Sequence, residues 1–255
     1  MDDLNICCVF VCNSKYINSF FKTYNQLITS GNYNGDICLV IGNDLKDTQI
    51  INDIINNTKI IVKYFPDIVF SDYFYEINRN MKIEGYDYRN IHKVFQWHKL
   101  HVFNTFFKKW DFIFYIDCGM VILNDIKHIF NERREMKLIA HSDAYDEYEQ
   151  TLKCQFDHSN KLFQDLYKEF NLEIDYFQTT IMLIDTNIIL DNTFNELLEL
   201  ANKYPICRTN EQGIMAVYFT NIKNYYKPIS IYNDSLHLYD YYRRNKNASY
   251  VMYKY

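Results

Sequence analysis

Apolar runs and stretches of helical period alternate along the first part of this chain. Ile6-Cys7-Cys8-Val9-Phe10-Val11-Cys12, Asp36-Ile37-Cys38-Leu39-Val40-Ile41 and Lys59-Ile60-Ile61-Val62-Lys63-Tyr64 read as three strands. Between the first two, Asn13-Ser14 marks a helix start, and Ile17, Phe20, Phe21, Tyr24, Leu27 and Ile28 recur at helical spacing from Tyr16 to about Ile28. Gly31 and Gly35 bracket a turn, and Asp47 to about Ile55 is again helical. Strand, helix, strand, helix, strand predicts a parallel sheet with right-handed crossovers. The run Phe112-Ile113-Phe114-Tyr115-Ile116 carries no charge and predicts a strand buried on both faces. Asp117 stands where that strand runs out, with Gly119 two positions on.

The rest of the pattern is less regular. Ser71 to Asn90 mixes polar and aromatic residues without a period and reads as an irregular excursion, followed by a helix from Ile91 to Phe107. Asn124-Asp125-Ile126 turns away from the Asp117 strand. Lys137 to Ala140 is a short strand delivering His141, Ser142 and Asp143, and Asn160 to Phe170 is helical. Tyr176 to Asp185 is a strand with Gln178, Thr179 and Thr180 early in it. Thr193…Glu196 and Thr209…Gln212 have capping-box spacing and would open helices to about Lys203 and Phe219. From Ile222 onward the chain is Tyr-rich and reads as irregular.

Ligands in open α/β sheets gather outside the carboxyl ends of strands. A carboxylate at Asp117 is therefore placed either to hold a divalent cation, which prefers oxygen, or to cap the next turn. No GxGxxG and no GxxxxGK[ST] occurs, which disfavours dinucleotide and P-loop readings. The chain has 255 residues, enough for one large domain, and is 48% hydrophobic and 18% aromatic, enough for a sizeable core. Its net charge of −5 argues against a nucleic-acid partner. Seven cysteines form no CxxC, and with no signal peptide they suggest a reducing, cytoplasmic setting. No apolar run approaches the ~20 residues of a membrane span.

Taken in order, these pieces resemble a GT-A-fold glycosyltransferase with a glycogenin-like flavour. The resemblance covers nearly the whole chain. The first strand with Val11, Asn13 and Tyr16 resembles the nucleotide-binding start. Trp97-His98-Lys99-Leu100 resembles the basic residue a few turns before the central acid, and Phe114 to Ile126 resembles the strand and turn carrying the DxD motif. Tyr176 to Asp185 and Glu211-Gln212 resemble a later strand and an acid–Gln helix. The Asn-, Ile-, Lys- and Tyr-rich composition is similar to that of giant-virus glycosyltransferases, which would place the protein in a host cytoplasm.

The resemblance implies an α/β, GT-A-like (Rossmann-like) single domain over 1–255 with a mostly parallel central sheet flanked by helices. Residues 1–125 would bind the nucleotide-sugar and 126–255 the acceptor. It implies transfer of a sugar from a nucleotide-sugar, UDP-linked by expectation, to a hydroxyl of a glycan, protein or small molecule, with retention favoured over inversion. The cofactor would be Mn²⁺ or Mg²⁺. Gly119 departs from the motif, because residues i and i+2 of an extended segment face the same way and the second acid is missing there. Metal binding would then rest on Asp117 with a distant partner, be weak or be absent; resemblance to metal-dependent members implies His237 as that partner, which is alternatively a packed or surface histidine. Lys99, Arg243 and Arg244 would offset phosphate charge, or be solvated. Asp143, Gln178, Glu211 and Gln212 would face the reacting sugar; for Asp143 the alternative is surface solvation, for Gln178 a bond to backbone, and for Glu211 and Gln212 helix capping. Two rival classes remain: a non-catalytic relative that binds a sugar or protein partner, and a sugar-phosphate nucleotidyltransferase.

Overall fold

The computed structural model describes residues 5–80, 94–143 and 150–254, other than 234, 235, 242, 244 and 246. The elements run β1 (Ile6–Cys12), α1 (Ile17–Thr29), β2 (Asp36–Ile41), α2 (Gln49–Asn57), β3 (Ile61–Tyr64) and α3 (Asp72–Asn80). Two 3₁₀ segments, Val94–Phe103 and Thr105–Lys109, lead into β4 (Phe112–Ile116), β5 (Met120–Ile122) and α4 (Lys127–Phe130). β6 (Leu138–Ser142), α5 (Leu162–Glu169), β7 (Phe177–Asp185), α6 (Thr193–Lys203) and α7 (Glu211–Val217) follow. β8 (Tyr226–Pro228), β9 (Tyr232–Asn233), β10 (Leu236–Asp240) and β11 (Tyr250–Lys254) complete the order.

Seven strands form one sheet in the order β3-β2-β1-β4-β7-β6-β8. β3, β2, β1 and β4 are mutually parallel, β7 alone runs against its neighbours β4 and β6, and β8 is parallel to β6. The expected α/β architecture with a mostly parallel central sheet is therefore present, and strands from both halves of the chain build it. Each strand alternates between two cores. Cys7, Val9, Ile113 and Tyr115 pack on one side with Trp97, Phe103 and Tyr218, while Cys8, Phe10, Phe114 and Ile116 pack on the other with Phe20, Leu39 and Ile129. Burial on both faces is what the uncharged runs encode.

Reversal of β7 matters for the site. Ile116 lies opposite Ile181, and the Asp117 amide donates to the Thr180 carbonyl at 2.9 Å, so the amino end of β7 adjoins the carboxyl end of β4. Beyond Asp117 the chain turns at Gly119, whose φ of +91° lies in the left-handed region that favours glycine. α1 secures this turn: Gly119 N–H donates to the Thr23 hydroxyl, which donates to the Met120 carbonyl, and Gln26 Oε1 accepts from Ile122 N–H.

Four expectations change. The irregular stretch after Ser71 contains α3, capped by the Ser71 hydroxyl accepting from Phe74 N–H and anchored by buried Phe74 and Asn78; residues 81–93 lie outside the described ones. In place of the single helix expected over 91–107, the described residues form two 3₁₀ segments, Val94–Phe103 and Thr105–Lys109, with every residue from Trp97 to Phe103 buried. Neither capping box forms. Asn192 is the first cap and binds Glu196 through its own amide, while Gln212 turns away to accept from Thr179 N–H. Finally, the Tyr-rich tail is not irregular. β5-β11-β10-β9 make a second sheet, with β11 antiparallel to β5 and parallel to β10, and Leu238, Tyr239, Val251 and Met252 close the core beneath it. Among the described residues no helix is long and apolar enough to cross a membrane.

Buried histidines give the fold an acid limit. His101 is stacked between Phe65 and Phe194 at 4.4 and 4.6 Å, and burial, with His98 nearby, pushes its pKa down to about 3. Burial also lowers His98, against a hydrogen bond to the Ile41 carbonyl. A histidine with a depressed folded pKa gains its proton first in the unfolded chain. Stability is thus complete above about pH 6.5 and falls toward pH 3 by about 1.4 kcal/mol per pH unit for His101. Urea unfolding at pH 7 and pH 5 should show the midpoint falling, and His101→Phe should flatten that dependence.

Candidate active site

Five elements converge where β4 ends. The order of contacts starts with Lys99, delivered by the first 3₁₀ segment into the sheet's interior at 6% exposure. Its ammonium lies 2.7 Å from Glu211 Oε1 and 3.2 Å from Asp117 Oδ1, and donates to the Thr179 carbonyl and hydroxyl at 3.2 and 3.1 Å. Burial alone would lower the Lys99 pKa, but Asp117 and then Glu211 outweigh it and hold the pKa above the ordinary value. A buried ammonium is tolerable only with such pairing.

Asp117 is held from two further sides. Tyr115, two residues earlier and therefore on the same face of β4, donates its hydroxyl to Oδ1 at 2.6 Å. Lys254, on β11, donates to Oδ2 at 2.8 Å. Burial would raise the Asp117 pKa; Lys254 and Lys99, with the two hydrogen bonds, reverse this and hold it far below the carboxylate range. The Tyr115 phenol is pushed well up by burial and by Asp117. The pair is therefore a carboxylate with a neutral phenol.

A second polar group lies next to the first, at the amino end of β7. Glu211 Oε1 also accepts from the Thr179 hydroxyl at 3.0 Å. Asn210, with φ +55°, sets the entry to α7 and binds Gln96 through its side chain. Gln178 donates to Asp143 Oδ1 at 2.5 Å, and Gln212 to Asp143 Oδ2 at 3.4 Å and Gln155 Oε1 at 3.0 Å. Two buried acceptors, Glu211 Oε2 and Gln178 Oε1, have no hydrogen-bond partner among the described residues. Unpaired acceptors are costly in a core and ordinary where ligand hydroxyls donate to them.

The structure thus brings Lys99, Asp117, Gln178, Glu211, Gln212 and Asp143 together. Val11 is at the same sheet edge, its carbonyl accepting from the Cys118 thiol. Asn13 and Tyr16 follow the carboxyl end of β1; Asn13 Oδ1 is buried without a partner among the described residues and Tyr16 is 37% exposed under Lys15. Arg243 packs on Tyr253 at 5.0 Å, and Arg244 lies outside the described residues. His237 is not brought to Asp117. It packs between Tyr232 and Tyr250 at 4.2 and 4.7 Å and pairs in register with Tyr250, four residues from Lys254, or about 13 Å along the strand.

A divalent ion therefore does not fit the side chains as they stand. Gly119 offers no ligand, His237 is remote, and both Asp117 oxygens already accept from other groups. Among the described residues no three His, Cys, Asp or Glu side chains gather as metal ligands. Sequence reasoning missed Tyr115, Thr179, Gln155 and Lys254. Tyr115 was detectable from its i, i+2 relation to Asp117; Lys254 carried no signal, since only the tail sheet puts it opposite Met120.

No protein-family model and no curated protein sequence matches the chain. Solved structures do. The bifunctional glycosyltransferase WbbM superposes with a TM-score of 0.60 at 15% identity, covering 99% of this chain and 46% of that one. The galactosyltransferase LgtC, in complex with donor and acceptor sugar analogues, superposes with a TM-score of 0.59 at 10% identity over 91% of this chain and 75% of that one. The mannosyltransferase Ktr4p of S. cerevisiae, in complex with GDP, gives 0.55 at 10% identity over 89% and 69%. The chain thus spans about half the length of WbbM and most of LgtC, and its fold is the GT-A-like fold of these glycosyltransferases.

Proposed function

We propose that the protein is a glycosyltransferase moving a sugar from a nucleotide-sugar, UDP-linked by expectation, to a hydroxyl acceptor. One observation carries the reading. At the carboxyl end of β4, in a fold shared with glycosyltransferases solved with donor analogues or GDP, a buried ammonium (Lys99) and a partly exposed one (Lys254) stand beside two buried acceptors, Glu211 Oε2 and Gln178 Oε1, that have no hydrogen-bond partner among the described residues. The cations suit a diphosphate and the acceptors suit sugar hydroxyls.

In this reading the base and ribose lie over Val11, Asn13 and Tyr16, and the diphosphate reaches the Asp117 cluster. Breakage of the sugar–phosphate bond leaves negative charge on the diphosphate, and preset ammonium groups lower the cost of that charge without reorganising. Glu211 Oε2 and Gln178 Oε1 accept from sugar hydroxyls and fix the anomeric carbon in place. Asp143, gripped by two glutamine amides, orients Gln178 and Gln212. Retention, which the resemblance to glycogenin-like members implies, is read by the anomeric signals of the product in proton NMR.

The deciding experiment is hydrolysis and transfer across a panel of UDP-, GDP- and other nucleotide-sugars, with thermal shift in parallel. Turnover of one donor supports the enzyme; stabilisation by a donor without turnover favours the binding-only relative; no response to any donor removes the reading. Asp117→Asn and Glu211→Gln should each lower turnover about 100-fold or more, and because each leaves Lys99 with a single carboxylate, donor-free stability in urea should fall by about 1–3 kcal/mol. Lys99→Met should instead destabilise by about 3 kcal/mol in urea, because it strands Glu211 in the interior, and adding Glu211→Gln should recover most of that loss.

A further inference from the structure

Two ammonium groups reach Asp117, and they are not equivalent. Lys99 is enclosed, and its donors are taken by Asp117, Glu211 and Thr179. Lys254 comes from the opposite side and keeps 24% of its side chain exposed, and among the described residues its hydrogen bond is to Asp117 Oδ2 alone. An ammonium has three donors, so two point away from Asp117. β11 holds the residue in place from both edges, paired with β5 through Met120 and with β10 through Tyr253 and Asp240. Gly119, the neighbour where a second carboxylate would compete for a cation, has no side chain, and a Cβ built there meets only Ser19 at 3.8 Å.

We propose that Lys254 is the built-in cation of this site: Asp117 positions its ammonium, which binds the diphosphate of the nucleotide donor directly and does the work otherwise left to a divalent ion. The inference rests on the glycosyltransferase reading. Its physical basis is local. One carboxylate facing one accessible ammonium is balanced, whereas a divalent ion on the same carboxylate would have to displace Lys254 and sit between two ammonium groups that repel it. A lysine is a point charge on a flexible stem, well suited to following a leaving phosphate over a short distance. Asp117 is then a positioning residue acting through Lys254.

Isothermal titration with UDP and with GDP, in EDTA and again in Mn²⁺, tests this. The native chain should bind one of the two in EDTA with an affinity within about twofold of that in Mn²⁺. Lys254→Met should weaken EDTA binding by roughly 10- to 100-fold, the range of a charge-assisted hydrogen bond, and Lys254→Arg should restore it to within a few-fold. Asp117→Asn should weaken it less than Lys254→Met, since the ammonium remains. Melting temperatures taken alongside separate lost binding from lost folding. Binding only in Mn²⁺, or full EDTA binding by Lys254→Met, overturns the inference and leaves the glycosyltransferase reading intact. Failure of both nucleotides in both buffers overturns the inference, and the glycosyltransferase reading falls with it only where the whole nucleotide-sugar panel is also silent.

Discussion

Lys99 is the charge on which the rest of the site depends. Burying an ammonium between β4, β7 and α7 is unfavourable unless carboxylates come with it, and Asp117 and Glu211 come from residues far apart in the chain. Satisfying Lys99 therefore fixes the end of β4 against the start of α7, with Thr179 of β7 bonded to both Lys99 and Glu211. The polar cluster specifies geometry more than it adds stability, since ion pairs in a core roughly cancel their desolvation cost.

The antiparallel placement of β7 is the constraint that makes this possible. A parallel strand beside β4 would put its carboxyl end there, followed by a loop leading to a helix. Reversed, β7 brings Gln178, Thr179 and Thr180 to the sheet edge within its first residues, held by ladder hydrogen bonds rather than by a loop. Tyr239 of β10 bonds the Thr180 hydroxyl at 2.8 Å, so the tail sheet and the main sheet meet at the same point.

Much of the framework was legible because burial on both faces leaves an unmistakable run: β1, β2, β4 and β7 emerge within a residue or so of where their apolar stretches lie. Asp117 was legible as a candidate by its place at the end of such a run, whereas Lys99, Glu211 and Gln178 became candidates only through the family resemblance. What was not legible has physical causes. Trp97 to Phe103 is enclosed on all sides, which erases the period that separates α from 3₁₀ helix. α3 hides its two inward residues among exposed Tyr73 and other polar neighbours. The tail strands are short and in part parallel, so they carry neither a long run nor a hairpin signal. Glu211-Gln212 fitted a local cap and served a distant strand instead, a tertiary demand that local spacing does not report.

Asp117 and Lys254 are 137 positions apart. At the usual pace of about 5–20 residues per second, a ribosome delivers the second roughly 7 to 27 seconds after the first. Throughout that interval the seven-strand sheet already has β1 to β4, yet one Asp117 oxygen still lacks its partner and β5 lacks its neighbour β11. β6, β7 and β8 join within that interval and β11 after them, so the charge arrangement around Asp117 is complete only once β11 docks.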